Sequence, residues 1–240
     1  MRIRTGVYFI FGLTLLANLL IVFFRMWLGD GTIWLSMLLW IASVVLALAV
    51  LLITLHRSRE RGRRHLAIVS LGCILAFASC WPIQRSGTWT YWVTHRAELD
   101  LLVDALRADA SIRQLTDGQR YFASVNSKGY RTPQQEAARE RTGKGGPPEA
   151  PPLADVLASE SIAPETHERL RQQLIRLRFI DIEETAGYTA LLHDGFLDNL
   201  NGFLRVEPGR PVPAPDSEIF GTRLVHLERL GGGWYYFGTS

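Results

Sequence analysis

The densest group of reactive side chains is HDGFLDNLNG, residues 193–202, which sets His193, Asp194, Asp198, Asn199 and Asn201 within nine residues. Imidazoles and carboxylates at this density are the groups of general acid–base pairs and of metal sites. A second histidine, His226 in RLVHLER, would join them if its strand lay beside this loop. His193, Asp194, Asp198 and His226 are therefore the candidate catalytic set, and the chemistry they would serve is hydrolytic. The spacing does not make a calcium loop: Asp198, Asn199 and Asn201 are out of register with Gly202, and no Glu stands at the twelfth place. The opposing reading is a turn, because Asp and Asn bond their own backbone in such loops. His95 and His167 fall near helix starts and read as solvated.

No nucleophile elbow, phosphate loop, dinucleotide fingerprint or zinc-protease helix occurs. No cofactor and no metal site are expected. The two cysteines, Cys73 and Cys80, are seven residues apart. On a helix that is about 10 Å of rise, beyond the roughly 7 Å a disulfide tolerates.

The elements that would carry these residues divide into two parts. Residues 7–24, 32–55 and 66–83 hold no Asp, Glu, Lys, Arg or His. Each is long enough to cross a bilayer core of about 30 Å as a helix, directly or with tilt. Residues 1–83 carry eight arginines and two acids, whereas 84–240 carry eighteen basic and twenty-one acidic side chains. Five of those arginines, Arg57, Arg59, Arg61, Arg63 and Arg64, lie in HRSRERGRRH between the second and third windows. Basic residues in short loops stay on the cytoplasmic side. The expectation is a multi-pass protein of the cytoplasmic (inner) membrane, N-terminus inside and C-terminal domain outside. Trp27, Trp34, Trp81, Trp89, Tyr91 and Trp92 cluster near the outer boundary of the windows. Uncharged windows argue for an anchor rather than a transport path. Gly72, Ala76 and Cys80 form a small-residue stripe suited to close helix packing or a homo-oligomer.

Beyond residue 84, THRAELDLLVDALRADA has Thr94 as an N-cap, with Leu99, Leu102, Val103 and Leu106 on one face. Segment 84–132 is read as this juxtamembrane helix and the start of an outer domain, with a short strand or hairpin near Asn126–Gly129. Segment 133–152 is Pro- and Gly-rich and reads as a flexible linker or loop. Segment 153–240 begins with helices, the second started by Pro164 and striped by Leu170, Leu174 and Leu177. Five short strand-like runs come after them, ending in a hairpin turned at Gly231-Gly232-Gly233.

Helices succeeded by strands point to an α+β domain, helices packed on a small antiparallel sheet. The whole chain is thus expected to be a three-helix membrane protein with an extracytoplasmic α+β domain. That domain would bind at the cell envelope, its partners being the bilayer and a protein or envelope component, not nucleic acid. A nucleic-acid binder would carry its positive charge on the folded part. The alternative is a membrane-tethered hydrolase using the 193–201 loop with His226.

Overall fold

The computed structural model describes residues 2–28, scattered positions between 35 and 52, then 59–109, 111–117, 123–125, 128–143, 150–185, 187–196 and 199–240. Two compact units result, Met1–Tyr91 and Trp92–Ser240.

The first unit contains α1 (Arg2–Phe23), the single turn α2 (Arg25–Leu28) and the first part of α3 (Arg59–Ala108). Gly87 is required where it stands, because a Cβ there would collide with the Phe23 carbonyl. Around that crossing Met26, Thr88 and Tyr91 are buried, and Trp27 meets Tyr91 edge to face at 5.2 Å. Gly72 faces the Phe11 ring, so one member of the small-residue stripe already packs inside the chain. Phe9, Leu13, Leu16 and Leu20 stay exposed along α1, and Phe24 just after it. An apolar strip of this kind marks an interaction face in general.

The membrane expectation is corrected here. Among the described residues no helix is long and apolar enough to cross a membrane. The second window, 32–55, lies outside the described residues apart from scattered positions. The third is not a separate element: α3 runs from the arginine-rich stretch through Pro82 and on past Arg96 to Arg107. Lack of charge marks where a span could lie, but a helix continues for as long as its backbone bonds and packing allow, charged residues included. Thr94 is accordingly no N-cap; it sits inside α3 with its hydroxyl 3.0 Å from His95 Nδ1. The inside–outside orientation and the inner-membrane location rested on three spans, and they go with them.

The second unit is α+β with a curled antiparallel sheet. Its strands are β1 (Gln114–Thr116), β4 (Asp181–Glu184), β5 (Tyr188–Phe196), β6 (Asn199–Val206), β7 (Glu218–Ile219), β8 (Thr222–Gly231) and β9 (Trp234–Thr239), in the order β1-β4-β5-β6-β9-β8-β7. A separate pair joins β2 (Ala123–Val125) to β3 (Lys128–Tyr130). The helices are the end of α3, then α4 (Pro133–Thr142), α5 (Leu153–Ser159) and α6 (Pro164–Arg176). The hairpin between β8 and β9 turns on Gly232 and Gly233, both with positive φ. Side chains other than glycine adopt that conformation only at a cost.

Alternation divides the sheet residues between two faces. Leu191, Phe203 and Trp234 are buried on one, and Phe179 meets Phe203 edge-on at 5.8 Å. The end of α3 is tied to this face: Trp234 Nε1 donates to Asp100 Oδ1 at 2.9 Å, and the Arg205 guanidinium stands over the Trp234 ring. Leu99, Leu102, Val103 and Leu106 are fully buried, as their spacing requires. The opposite face has its own cluster of Ala190, Leu204, Val206, Leu224, Ile219 and Phe237.

Segment 133–152 is not uniformly a loop. Residues 133–142 form α4, capped by reciprocal bonds between Thr132 and Gln135 and ended by Gly143 in the left-handed region. The helix has no buried residues, so hydrophobic periodicity could not have revealed it. Residues 144–149 lie outside the described set.

Candidate functional site

The structure brings together part of the expected catalytic set. A bulge between Leu192 and Asp194 interrupts the pairing of β5 with β6. Strict alternation would send His193 and Asp194 to opposite faces; the extra residue lets them meet. His193 Nδ1 lies 3.3 Å from Asp194 Oδ2, and Asp194 Oδ1 accepts from Asn201 Nδ2 at 3.2 Å. His193 is 1% and Asp194 2% exposed, and the His193 ring meets Phe179 edge-on. Asp198 lies outside the described residues.

His226 stands apart. One row of the sheet runs Asp194, Asn201, Gly238, His226 across β5, β6, β9 and β8. Three strand spacings of about 4.8 Å put about 14 Å between the ends of that row. His226 is exposed and reaches Glu228 Oε2 at 4.0 Å instead. Among the described residues no group of three or more His, Cys, Asp or Glu is placed to hold a metal. The His–Asp contact resembles the orienting half of a nucleophile–base–acid relay. Here both residues lie in the packed interior beneath Phe179.

A different place in the second unit is open. A cavity of about 530 Å³ is lined by Asp117, Tyr130, Thr132, Gln134, Glu168 and Arg171, with Pro133, Gln135 and Leu153 beside them. Five elements supply these residues, α5 only through Leu153. Asp117 follows β1, its backbone N–H held by the Ile180 carbonyl at 3.0 Å. Tyr130 ends β3 and is 1% exposed. Next along the chain, the Arg131 carbonyl accepts from the Leu153 N–H and the Arg131 N–H donates to the Pro151 carbonyl, so the returning chain is fastened beside β3. The first turn of α4 comes immediately after. Thr132 N–H donates to Gln135 Oε1 at 2.9 Å and Gln135 N–H to Thr132 Oγ1 at 3.3 Å, a capping box. Pro133 suits the first helical position because it has no N–H to leave unbonded.

The far wall is α6. Glu168 and Arg171 are three residues apart, hence neighbours on one helix face. Arg171 grips Glu168 with two bonds, Nε to Oε2 and Nη2 to Oε1, each 2.8 Å. Its Nη1 donates to the Asp117 carbonyl, also at 2.8 Å. One arginine thus fastens α6 to the end of β1. The hydrogen bonds from Arg171 hold the Glu168 carboxyl down at about 2, and the same pair raises Arg171.

Next to Tyr130 lies His167, 1% exposed, its ring edge-on to the phenol at 6.4 Å. The expectation that His167 is solvated is therefore corrected: it shares the buried face of α6 with Leu170 and Leu174. Burial pushes its imidazole down, favouring the neutral ring. Burial also pushes the Tyr130 phenol up, with the negative charges of Asp181 and Asp117 adding to the rise. The Thr116 hydroxyl beside it works the other way. Even so, Tyr130 Oη meets no donor or acceptor in hydrogen-bonding geometry among the described residues.

Sequence reasoning missed this site. Its residues come from four separated segments, three of which carry no reactive histidine or motif. The available signals were small: T-P-Q-Q at 132–135 as a capping box, and E-x-x-R at 168–171 as a one-turn ion pair. No family model matches the chain, and no curated protein or solved structure matches it significantly.

Proposed function

We propose that the Trp92–Ser240 unit is a ligand-binding module whose site is the cleft between β3, the start of α4 and α6. The observation that carries this reading is the open cavity of about 530 Å³, whose polar lining is held in place by Arg171 and the Thr132 capping box. That volume lies within the usual range for small-molecule sites. A preorganised polar lining is what selective binding needs, since little ordering cost remains to oppose it. The His193 cluster supports turnover less well, because its two members are buried to 1% and 2% exposure.

A fragment library screened by nuclear magnetic resonance on the isotope-labelled full chain tests the proposal. Hits should shift the backbone signals of Tyr130, Gln134 and Arg171 together. Hits that cluster on His193, Asn201 and His226 instead would overturn it in favour of a catalytic site there.

A further inference from the structure

We infer that the β2–β3 ribbon is an acid-released cover over the start of α6: when His167 takes a proton, Tyr130 and its strand come away from the helix. The device lies in the packing of the fold and stands whether or not the cleft holds a ligand.

At its centre is a buried imidazole with one side unsatisfied. His167 is 1% exposed, and its Nε2 has no hydrogen-bond partner among the described residues. The ring rests edge-on against Tyr130 of β3. A neutral imidazole tolerates this, because one of its nitrogens carries no proton. A protonated ring has a donor on both nitrogens and a full charge. Left where it stands, it would hold an unsatisfied charged donor at Nε2, far costlier than an unsatisfied neutral atom. The place in the helix adds to the cost. His167 is the fourth residue of α6, and the macrodipole opposes positive charge near a helix N-terminus.

The neighbouring charges do not offset this. Those that bear on His167 are Glu168 and Arg171, on its own helix. The two are bonded to each other twice, so their effects on the ring oppose. From β3 comes the Tyr130 phenol, and Asp117 after β1 and Asp181 on β4 direct their charge at that phenol. Burial therefore dominates, and it favours the neutral ring.

Of the two partners, the ribbon is the one that moves. α6 keeps Leu170 and Leu174 fully buried, and Arg171 fastens it to the Asp117 carbonyl. β2 and β3 form a sheet of two strands, outside the seven-stranded one. A two-stranded ribbon is marginally stable alone and depends on what it packs against. Lifting Tyr130 from His167 gives the charged ring access to water while the main sheet stays intact. Tyr130 also lines the cleft, so acid removes part of its wall. Because burial holds the folded ring neutral, its contribution is complete above the ordinary value of 6.5 and is lost as pH falls below it.

The test is amide hydrogen exchange on the full chain from about pH 7.5 down to about pH 5, expressed as protection so that the intrinsic pH dependence of exchange is removed. The β3 amides should lose about tenfold in protection for each pH unit below 6.5 until the ring is fully protonated, while the β6 and β9 amides keep theirs. His167→Gln and His167→Phe cannot take the proton and should abolish that pH dependence. Ring-nitrogen spectra of the parent read the protonation directly, which keeps the test decisive if both variants unfold. Unchanged β3 protection across the range, an equal loss in β6 and β9, or a loss that persists in a folded variant would each overturn the inference. So would a His167 ring that takes its proton while β3 stays protected. The fragment screen, run at neutral pH, bears on the cleft alone.

Discussion

Replacing Trp234 by Phe tests how the sheet is fastened to α3. Trp234 is fully buried, and its indole donates to Asp100 Oδ1 at 2.9 Å. A hydrogen bond to a charged group is worth about 1.5–3 kcal/mol. The lower half of that range applies here, because Asp100 keeps Arg96 at 3.7 Å and Arg205 at 3.6 Å after the indole is gone. Trimming the larger ring in a packed interior adds about 1 kcal/mol. The Trp234→Phe variant should therefore lose about 2.5–3 kcal/mol from the second unit. Native-state hydrogen exchange on β6 and β9 amides reads that loss locally, as exchange about 100-fold faster. The cycle with Asp100→Ala isolates the bond: the cost of Trp234→Phe should shrink by about 1.5 kcal/mol in the Asp100→Ala background. Equal costs in both backgrounds would show that the indole bond is not what holds the helix to the sheet.

Thr132→Ala removes the capping box and should cost about 1 kcal/mol, seen as faster exchange of the Gln135 and Glu136 amides with the sheet unaffected. Deleting residues 233–240 removes β9, which lies between β6 and β8, and should abolish accumulation of folded protein. Normal levels of a folded truncation would refute the strand order. Two glutamates should respond to pH in opposite senses. Burial raises Glu183, so its stabilising contribution is complete below the ordinary value of 4.5 and is lost as pH rises through the folded value. Glu183→Gln, which keeps the acceptor for the Phe220 N–H, should melt higher than the parent at neutral pH and equal to it in acid. Glu168 is held down to about 2, so its contribution is present above 4.5 and disappears as pH falls toward 2. The melting difference between parent and Glu168→Gln should therefore be largest near neutrality and vanish in strong acid.

The glycine-turned terminal hairpin, the Leu170/Leu174/Leu177 stripe and the Leu99–Leu106 face were legible in the chain alone. Local rules govern each of them: positive φ favours glycine, and a period of 3.6 gathers apolar residues on one side of a helix. Residues 7–24 and 66–83 show where local reading stopped. An absence of charge carries no information about where a helix ends, and α3 simply continues from Arg59 to Ala108. α4 escaped notice for the opposite reason, since it buries nothing and is held by its cap.

The sequence by itself determined which residues have apolar periodicity, where glycine turns fall and which side chains could do chemistry. Only the tertiary structure decided which of those meet. Whether His193 reaches Asp194 depends on one bulge, and whether His226 joins them depends on strand order, neither of which is written in local composition. The cleft is the extreme case. Asp117, Tyr130, Thr132 and Arg171 come together because Arg171 spans 54 residues to hold the Asp117 carbonyl. Such a contact is selected by the packing of whole elements, so no pattern within one segment records it.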